Sequence, residues 1–266
     1  MKEIDLEFYK KNGYCVVKNV FSKKQICDFR KLAYLSMEND QKNGKGRREI
    51  SKIKNVWYSE GDLSAKPLSK VLFSEEILKI ARKVLDTTPV YFGDSTYQVG
   101  AGDRGYHRDN IDRIANVGDD WKGEYELIRF GVYLQDHNHF SGGLKVIEGS
   151  HLGRNGKRKF VNSNAGDVVL WNKRTLHSGN GQRLKLFPNL VLGYRLENLL
   201  PNFLFLNGEK ERISCFMSFA KEGEDLNRYI EKYMKVKLQK TYNEFLNHKD
   251  FSQTVEKDLK FLSNTQ

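Results

Sequence analysis

With 266 residues, 39% of them hydrophobic, the chain is long enough for one sizeable barrel or sandwich domain, or for two small domains. Its formal net charge of +11 favours anionic partners, although a solvated lysine-rich surface would give the same balance. No run approaches the roughly 20 apolar residues of a membrane-spanning helix, and the first residues lack the apolar core of a signal peptide, so we expect a cytoplasmic protein.

The first third of the chain predicts a short strand and two helices. Residues 14–17 (Tyr-Cys-Val-Val) are typical of a strand. The motif Ser22-Lys-Lys-Gln25 is a capping box that predicts a helix through roughly Tyr34, and residues 39–48 are polar and glycine-containing, which predicts a mobile loop. A second helix is predicted over residues 74–85, with a hydroxyl cap and acidic residues in its first turn.

From residue 90 to about residue 196 the pattern changes to short β-rich runs separated by glycine. Several short strands at close spacing predict an antiparallel barrel or sandwich. The predicted strands are residues 90–92, 95–99, 127–134, 144–147, 167–171 and 190–194. We therefore expect a single domain over residues 1–266, with a β core at about 90–196 and helical support at 22–85.

The C-terminal part, from about residue 203 to residue 262, is predicted to be a helical extension. Five apolar or aromatic residues recur there at helical spacing, in a lysine-rich segment: Leu226, Tyr229, Ile230, Tyr233 and Met234. We expect this amphipathic helix to pack on the β core. A membrane-surface helix or a partner-binding helix is the alternative that the pattern leaves open.

Two histidines and an aspartate form the most informative pattern. His107 and Asp109 are two positions apart, so on a strand they would point to the same side about 6.6–6.8 Å apart along the backbone. His177 ends a later β run and is the candidate for a third ligand from a neighbouring strand. Two histidines and one carboxylate are the set that holds non-heme ferrous iron and leaves open positions.

The other histidines and the cysteines are not expected to take part in the metal site. The spacing of His137 and His139 is strand-like, but their turn-like surroundings are typical of a surface loop, and we assign no role to His151 or His248. The three cysteines, Cys15, Cys27 and Cys215, are scattered and lack Cys-x-x-Cys spacing. This pattern suggests neither a zinc knuckle nor a disulfide framework, so we expect reduced packing residues.

Four blocks in the chain resemble, in order, those of the phytanoyl-CoA dioxygenase-like (PhyH) family of iron(II)- and 2-oxoglutarate-dependent oxygenases. Residues 8–22 resemble its opening, and Tyr106-His-Arg-Asp109 its His-x-Asp motif. Residues 142–151 resemble its Gly-Gly-Leu to Gly-Ser-His block, with Glu148 where proline is usual. Residues 166–179 resemble the strand and turn that carry the distal histidine. The resemblance extends from about residue 6 to residue 196.

This resemblance implies a fold, a chemistry and a set of ligands. The fold would be a double-stranded β-helix, also called a jelly roll or cupin-like barrel. Iron would be held by His107, Asp109 and His177, with 2-oxoglutarate and dioxygen as cosubstrates and with release of succinate and CO2. The carboxylate of Asp109 favours hydroxylation over halogenation, because related halogenases have a small residue there. The implied enzyme is a hydroxylase of a small or carrier-conjugated metabolite.

One position departs from the family pattern. The family usually has an arginine about eleven residues after the distal histidine, where it binds the distal carboxylate of 2-oxoglutarate, but this chain has Pro188. A guanidinium pairs with a carboxylate through two parallel hydrogen bonds, so another buried arginine is needed. Arg129, which lies in an apolar predicted strand, is the first candidate. Arg183 is the second and Arg195 the third.

Residues near the ligand-bearing strands are candidates for the pocket. Tyr97, Gln98 and Trp171 flank these strands, although residues of this kind in strands are often part of a core. Residues 110–126 are charged and glycine-punctuated, which is typical of a loop that closes over a substrate.

Three other functions stay open at this point. The chain could be a metal-binding barrel that acts as a binding module without catalysis. It could be a nucleic-acid oxygenase, which the positive charge suggests, but no stripe of basic and aromatic residues lies near the metal motif, so we do not expect nucleic acid. A zinc hydrolase is the weakest alternative. The charge favours an anionic substrate, such as a phosphorylated or acidic sugar or a carrier-bound acyl group, and the oligomeric state stays open.

Overall fold

Two sheets of unequal size dominate the computed structural model, which describes residues 3–247 and 259–261. The strands are β1 (Tyr14–Val17), β2 (Arg47–Ile50), β3 (Asn55–Tyr58), β4 (Val90–Ala101), β5 (Leu127–Tyr133), β6 (Gly143–Ile147), β7 (Arg158–Phe160), β8 (Val168–Asn172), β9 (His177–Gly181), β10 (Ile213–Ala220) and β11 (Lys260–Phe261). The helices are α1 (Leu6–Asn12), α2 (Lys23–Lys42), α3 (Ser69–Leu72), α4 (Glu75–Leu85), α5 (Tyr194–Leu199), α6 (Glu224–Tyr229), α7 (Lys235–Lys237) and α8 (Gln239–Asn247).

The larger sheet has the strand order β1-β8-β5-β10-β4-β3-β2, and β11 pairs with β4. The smaller sheet has the order β7-β6-β9. All pairs are antiparallel except that of β11 with β4. The consecutive strands β5 and β6, and again β8 and β9, lie in different sheets, so the chain passes back and forth between them. This is the jelly-roll arrangement predicted from the sequence, and it is confirmed.

The predicted helices of the N-terminal third are present. Ser22 and Gln25 form the predicted capping box, and α2 packs apolar side chains into the core. The helix ends at Lys42 rather than near Tyr34, so the loop predicted from residue 39 begins later. Helix α4 matches its predicted bounds, with the side chain of Ser74 accepting a hydrogen bond from the first turn.

The predicted end of the β core is wrong. The run at residues 190–194 forms no strand, and α5 begins at its last residue. The last long strand of the described residues is β10, well beyond residue 196. Residues 182–212 form a long connection between β9 and β10, which we call the insertion. An apolar run does not by itself predict a buried strand, because the apolar residues of the insertion lie largely on the surface. They are Leu186, Phe187, Leu190, Leu196, Leu199 and Phe203.

The C-terminal extension therefore starts with a strand, and its helices begin only at Glu224. The predicted amphipathic helix packs its apolar face into the core through Leu226, Ile230 and Met234. It contains a π-helical turn, Ile230–Met234, which the sequence pattern does not predict. The part of the prediction that covers residues 248–258 and residue 262, including His248, lies outside the described residues. In the described part, no helix is both long and apolar enough to span a membrane.

A buried ion pair attaches the insertion to the smaller sheet. Lys145 of β6 donates to both carboxylate oxygens of Glu197 in α5, at 2.7 Å each, and both side chains have no exposed surface. Burial raises the pKa of Glu197 and lowers the pKa of Lys145, because it disfavours each charged form. Each charge is therefore tolerated only because the other is present.

Replacing Lys145 with methionine is expected to destabilise the protein by about 3–5 kcal/mol, because the carboxylate of Glu197 would stay buried without its partner. The measurement is urea unfolding followed by circular dichroism. The double variant Lys145→Met/Glu197→Leu should regain most of the loss, whereas Lys235→Met, which breaks an exposed pair with Glu231, should change little. A single variant as stable as the wild type would contradict the expectation.

Candidate metal centre

The segment after β4 brings His107 and Asp109 against the turn between β8 and β9. His107 exchanges backbone hydrogen bonds with His177, with N–O distances of 2.8 and 3.0 Å, and the N–H of Asp109 donates to the carbonyl of Lys173 at 2.9 Å. His107 forms only this isolated bridge rather than a continuous strand. One potential ligand atom from each of His107, Asp109 and His177 lies within 4.8 Å of the others. We call these three residues the triad.

Both imidazoles of the triad are oriented by the backbone. Nδ1 of His107 lies 3.1 Å from the carbonyl oxygen of Gly105, and Nδ1 of His177 lies 2.9 Å from that of Thr175. A carbonyl oxygen only accepts, so each Nδ1 carries the proton, and each Nε2 keeps a free lone pair. The Nε2 atoms lie 3.8 and 3.5 Å from the two carboxylate oxygens of Asp109. All three side chains thus direct ligand atoms toward one point.

The charges of the triad suit a cation. Burial lowers the pKa of His177 to about 4, so its imidazole is neutral at pH 7, which is the form that binds a metal. Burial alone would raise the pKa of Asp109, but the interactions with His177, which is protonated only in acid, and with the guanidinium of Arg129 lower it below its usual range. Trp171 also donates its indole N–H to Asp109 Oδ2 at 3.3 Å. The carboxylate is therefore ionised and held in place.

Arg129, the first candidate for the 2-oxoglutarate arginine, lies beside the triad with its charge already compensated. Its Nη1 donates to both carboxylate oxygens of Asp94, at 3.1 and 3.0 Å, and to Ser218 at 3.1 Å. Asp94 also accepts from the fully buried Lys173. Burial would lower the pKa of Arg129, but Asp94 and Asp109 raise it above its usual range. Arg129 is thus part of a buried charge network.

Arg212, which the sequence reasoning missed, has no such compensation. It is 7% exposed and forms no ion pair with any of the described residues. Its Nε donates to the carbonyl of Gly142 at 2.9 Å, and its Nη1 donates to Ser214 at 3.0 Å and to Gln98 at 3.4 Å. Burial lowers its pKa, and no carboxylate opposes this. A buried guanidinium without an anion is costly, so the site is suited to an anionic ligand.

The triad and Arg212 line the same cavity, which has a volume of about 120 Å³. A Cβ atom placed on Gly179, two residues after His177, would lie 3.6 Å from Nη2 of Arg212. The hydroxyl of Tyr133, another lining residue, is buried close to the guanidinium of Arg212 and has no well-aligned hydrogen bond to the described residues. The cavity thus offers a set of iron ligands, a buried cation and a buried hydroxyl. These groups fit iron and a small dicarboxylate.

The other predicted site residues have different positions. Gln98 and Trp171 line the cavity. Tyr97 lies on the opposite face of β4, where its hydroxyl donates to Asp40 at 2.8 Å, because adjacent residues of a strand point to opposite sides. Arg183 lies outside this cavity and donates to the carbonyls of Pro188 and His137, and Arg195 is exposed on α5. Arg183 and Arg195 thus do not line the cavity of the triad.

The surface-loop interpretation of His137 is wrong, whereas His139 is exposed as expected. His137 is 1% exposed, and its Nε2 lies 3.1 Å from the amide nitrogen of Gln135. Burial, with the charges of Arg212 and Arg183, lowers the pKa of His137 to about 3. The folded protein therefore keeps this imidazole neutral, whereas the unfolded chain protonates it near pH 6.5.

This difference predicts a loss of stability in acid. Because the folded-state pKa is depressed, the contribution of His137 is complete above pH 6.5 and is lost as the pH falls toward 3. Between pH 6.5 and pH 5 the loss is expected to be roughly 2 kcal/mol. Urea unfolding at several pH values measures it, and His137→Gln should reduce the slope in this range. An unchanged slope would show that other groups cause the pH dependence.

Comparisons with known proteins identify the family and the fold of the chain. The family model described as phytanoyl-CoA dioxygenase (PhyH) matches residues 9–183. Among curated proteins, no sequence matches the chain significantly. Many solved structures share the fold, and all those described below are less than 20% identical to the chain, so that their likeness concerns the fold alone.

Three of these structures illustrate the extent of the likeness. The non-heme alpha ketoglutarate dependent carbocyclase SnoK from nogalamycin biosynthesis is 18% identical, with a TM-score of 0.57, over 81% of this chain and 82% of its own. AviO1 from Streptomyces viridochromogenes Tue57 is 19% identical, with a TM-score of 0.56, over 82% and 94%. HygX from Streptomyces hygroscopicus, solved with nickel and 2-oxoglutarate bound, is 15% identical, with a TM-score of 0.53, over 81% and 85%.

Proposed function

This chain belongs to the phytanoyl-CoA dioxygenase (PhyH) family, and on that basis we propose that it is an iron(II)- and 2-oxoglutarate-dependent dioxygenase that hydroxylates a small molecule. The observation that carries the proposal is the shared cavity, in which three potential iron ligands lie together with a buried arginine that has no carboxylate partner. Iron alone would explain the triad, but it would not explain Arg212. A metal and an anionic cosubstrate together account for both.

The proposed ligands are Nε2 of His107, a carboxylate oxygen of Asp109 and Nε2 of His177. When bound, iron and 2-oxoglutarate supply the oxidising chemistry with dioxygen, and the protein supplies binding, orientation and a dry environment. The backbone carbonyls of Gly105 and Thr175 keep the Nδ1 protons away from the metal side. Trp171 keeps the carboxylate of Asp109 oriented.

Arg212 is the proposed partner of the distal carboxylate of 2-oxoglutarate, in place of Arg129 and Arg183. Its Nη2 makes no hydrogen bond to any of the described residues, so it can donate to a ligand without breaking an existing contact. The neighbouring hydroxyl of Tyr133 can donate a further hydrogen bond to the same carboxylate. The charge of Arg129 is already compensated by Asp94 and Asp109, and Arg183 lies outside the cavity.

The rest of the cavity wall is suited to excluding water. Leu144, Trp171 and Phe216 line it with apolar surface, and Phe216 also lies under the guanidinium of Arg129 at 5.6 Å. A low local dielectric strengthens the contacts of the carboxylates with the metal and with Arg212. The hydroxylated product then depends on which C–H bond a substrate presents beside the triad.

The proposal is tested by titrating the metal-free protein with ferrous iron and then with 2-oxoglutarate, under anaerobic conditions. We expect the weak visible charge-transfer band that a chelated keto acid gives with iron(II). On exposure to air, the loaded protein should release succinate. Bound iron without any band or succinate would contradict an oxygenase and favour a metal-binding module without catalysis.

A further inference from the structure

A second and larger cavity, of about 490 Å³, adjoins the cavity of the triad. The two cavities share Tyr58, Gln98, Asp109 and Arg129. Away from the triad, the larger cavity is bounded by the β2–β3 hairpin on one side and by the C-terminal helices on the other. Its volume is within the range of ligand pockets for small molecules. It reaches the triad directly, because Asp109 lines both cavities.

The charged groups that line this cavity are already paired within the protein. Glu60 accepts from Lys240 at 2.5 Å, and Arg47 donates to Glu49 at 2.9 Å. Asp94 is held by Lys173 and Arg129. A phosphate or carboxylate on a substrate would therefore have to compete with an existing ion pair. This lining does not support the anionic substrate that the net charge of the chain predicts.

Four neutral polar groups of the cavity have no hydrogen-bond partner in the described part of the chain. The hydroxyls of Tyr58, Tyr233 and Thr241 and the amide nitrogen of Gln98 make no hydrogen bonds to the described residues. Two of these residues lie at the end shared with the triad, and the other two lie on the C-terminal helices. Hydrogen-bonding groups are thus available at both ends of the cavity.

The partly buried ring of Tyr233 provides the flat surface between these groups, and behind it stands the ring of Tyr229, which is 2% exposed. The rings of Tyr229 and Tyr233 lie 5.0 Å apart with an interplanar angle of 31°, and both residues line the cavity. They stand at the π-helical turn Ile230–Met234, and such turns are frequent at functional sites. A tyrosine offers an apolar ring face and a polar hydroxyl together, which suits a ligand with C–H faces and hydroxyl edges.

We propose that the larger cavity is the substrate site and that the substrate is an uncharged polyhydroxylated ring, of the glycosyl or cyclitol type. This inference rests on the proposed function, because the inner end of the cavity is the triad. The ring would lie against Tyr233, with its hydroxyls bonded to the uncommitted groups at the two ends. A long acyl chain would instead need an apolar channel, which this lining does not provide.

The test measures binding to the metal-free protein, so that it does not depend on turnover. Saturation-transfer NMR is recorded with a panel of methyl pyranosides and cyclitols, with the corresponding phosphates, and with short acyl-CoA thioesters. We expect transfer to at least one neutral compound, which binds more tightly than its phosphate. Tyr233→Phe should weaken that binding about three- to tenfold, because one hydrogen bond is lost.

Tyr194→Phe is the matched control, because Tyr194 is exposed on α5 outside the cavity, and it should bind as the wild type does. The proposal is overturned if no neutral compound binds, if phosphates or thioesters bind more tightly, or if Tyr233→Phe has no effect. The charge-transfer band is recorded on the same preparations. A band without binding of a neutral ring refutes the substrate class alone, whereas a missing band refutes the proposed function.

Discussion

Replacing His177 with alanine is expected to lower the affinity for ferrous iron by more than about 100-fold, because hydrogen-bond partners of metal ligands alone contribute about 10- to 100-fold. His177 is 4% exposed and is held by the Thr175 carbonyl, so no other group of the turn can take its place without rearrangement. The measurement is anaerobic titration with ferrous iron, followed by 2-oxoglutarate and the charge-transfer band. The band should be absent at iron concentrations that saturate the wild type.

The matched control is His139→Ala, which removes an exposed histidine that lies outside both cavities. It should bind iron as the wild type does. Circular dichroism of both variants separates loss of metal binding from loss of the fold. Iron affinity that is unchanged in a folded His177→Ala variant would rule out the triad as the metal centre.

Replacing Arg212 with methionine is expected to weaken 2-oxoglutarate binding by about 100-fold or more while iron binding stays intact. Losing one partner of a buried charge pair costs about 2–5 kcal/mol, which is roughly 30- to 5,000-fold in affinity. Methionine keeps much of the apolar volume and removes the charge. The measurement is a titration of the iron-loaded protein with 2-oxoglutarate, again under anaerobic conditions.

Three further variants distinguish the arginine candidates. Arg212→Lys should recover part of the affinity, since it keeps the charge but not the two parallel hydrogen bonds. Arg183→Met should leave 2-oxoglutarate binding unchanged, because Arg183 lies outside the cavity. If Arg129→Met lost the cosubstrate while Arg212→Met bound it normally, the role would pass to Arg129, as the sequence suggests.

The features that the sequence predicts well are local. The His-x-Asp motif needs only two residues with the same orientation, and the start of α2 needs only the capping box of Ser22 and Gln25. The end of α2 depends on distant residues instead. Its last turns are stabilised by Asp40, which pairs with Lys66 at 2.5 Å and accepts from Tyr97 at 2.8 Å. No sequence pattern near Tyr34 indicates these contacts with distant residues.

Arg212 was missed for a similar reason. It lies 35 residues after His177, because the insertion separates β9 from β10, and a search at the family's usual spacing reaches Pro188 instead. The available signal was a basic residue directly before the apolar run Ile213–Ala220. Lys173 and Asp94 are equally hard to find, since charged residues are usually exposed and only the assembled fold pairs them.

The C-terminal helices, with their π-helical turn, form one wall of the larger cavity and supply none of the described residues that line the cavity of the triad. The groups proposed to hold iron and 2-oxoglutarate belong to the strands and their connecting turns, whereas Tyr229, Tyr233 and Thr241 belong to the C-terminal helices. Tyr229 accepts a hydrogen bond from Lys173 and so contacts the charge network beside the triad, whereas Tyr233 and Thr241 do not. Exchanging the side chains at these last two positions is therefore a route to new specificity that leaves the chemistry in place.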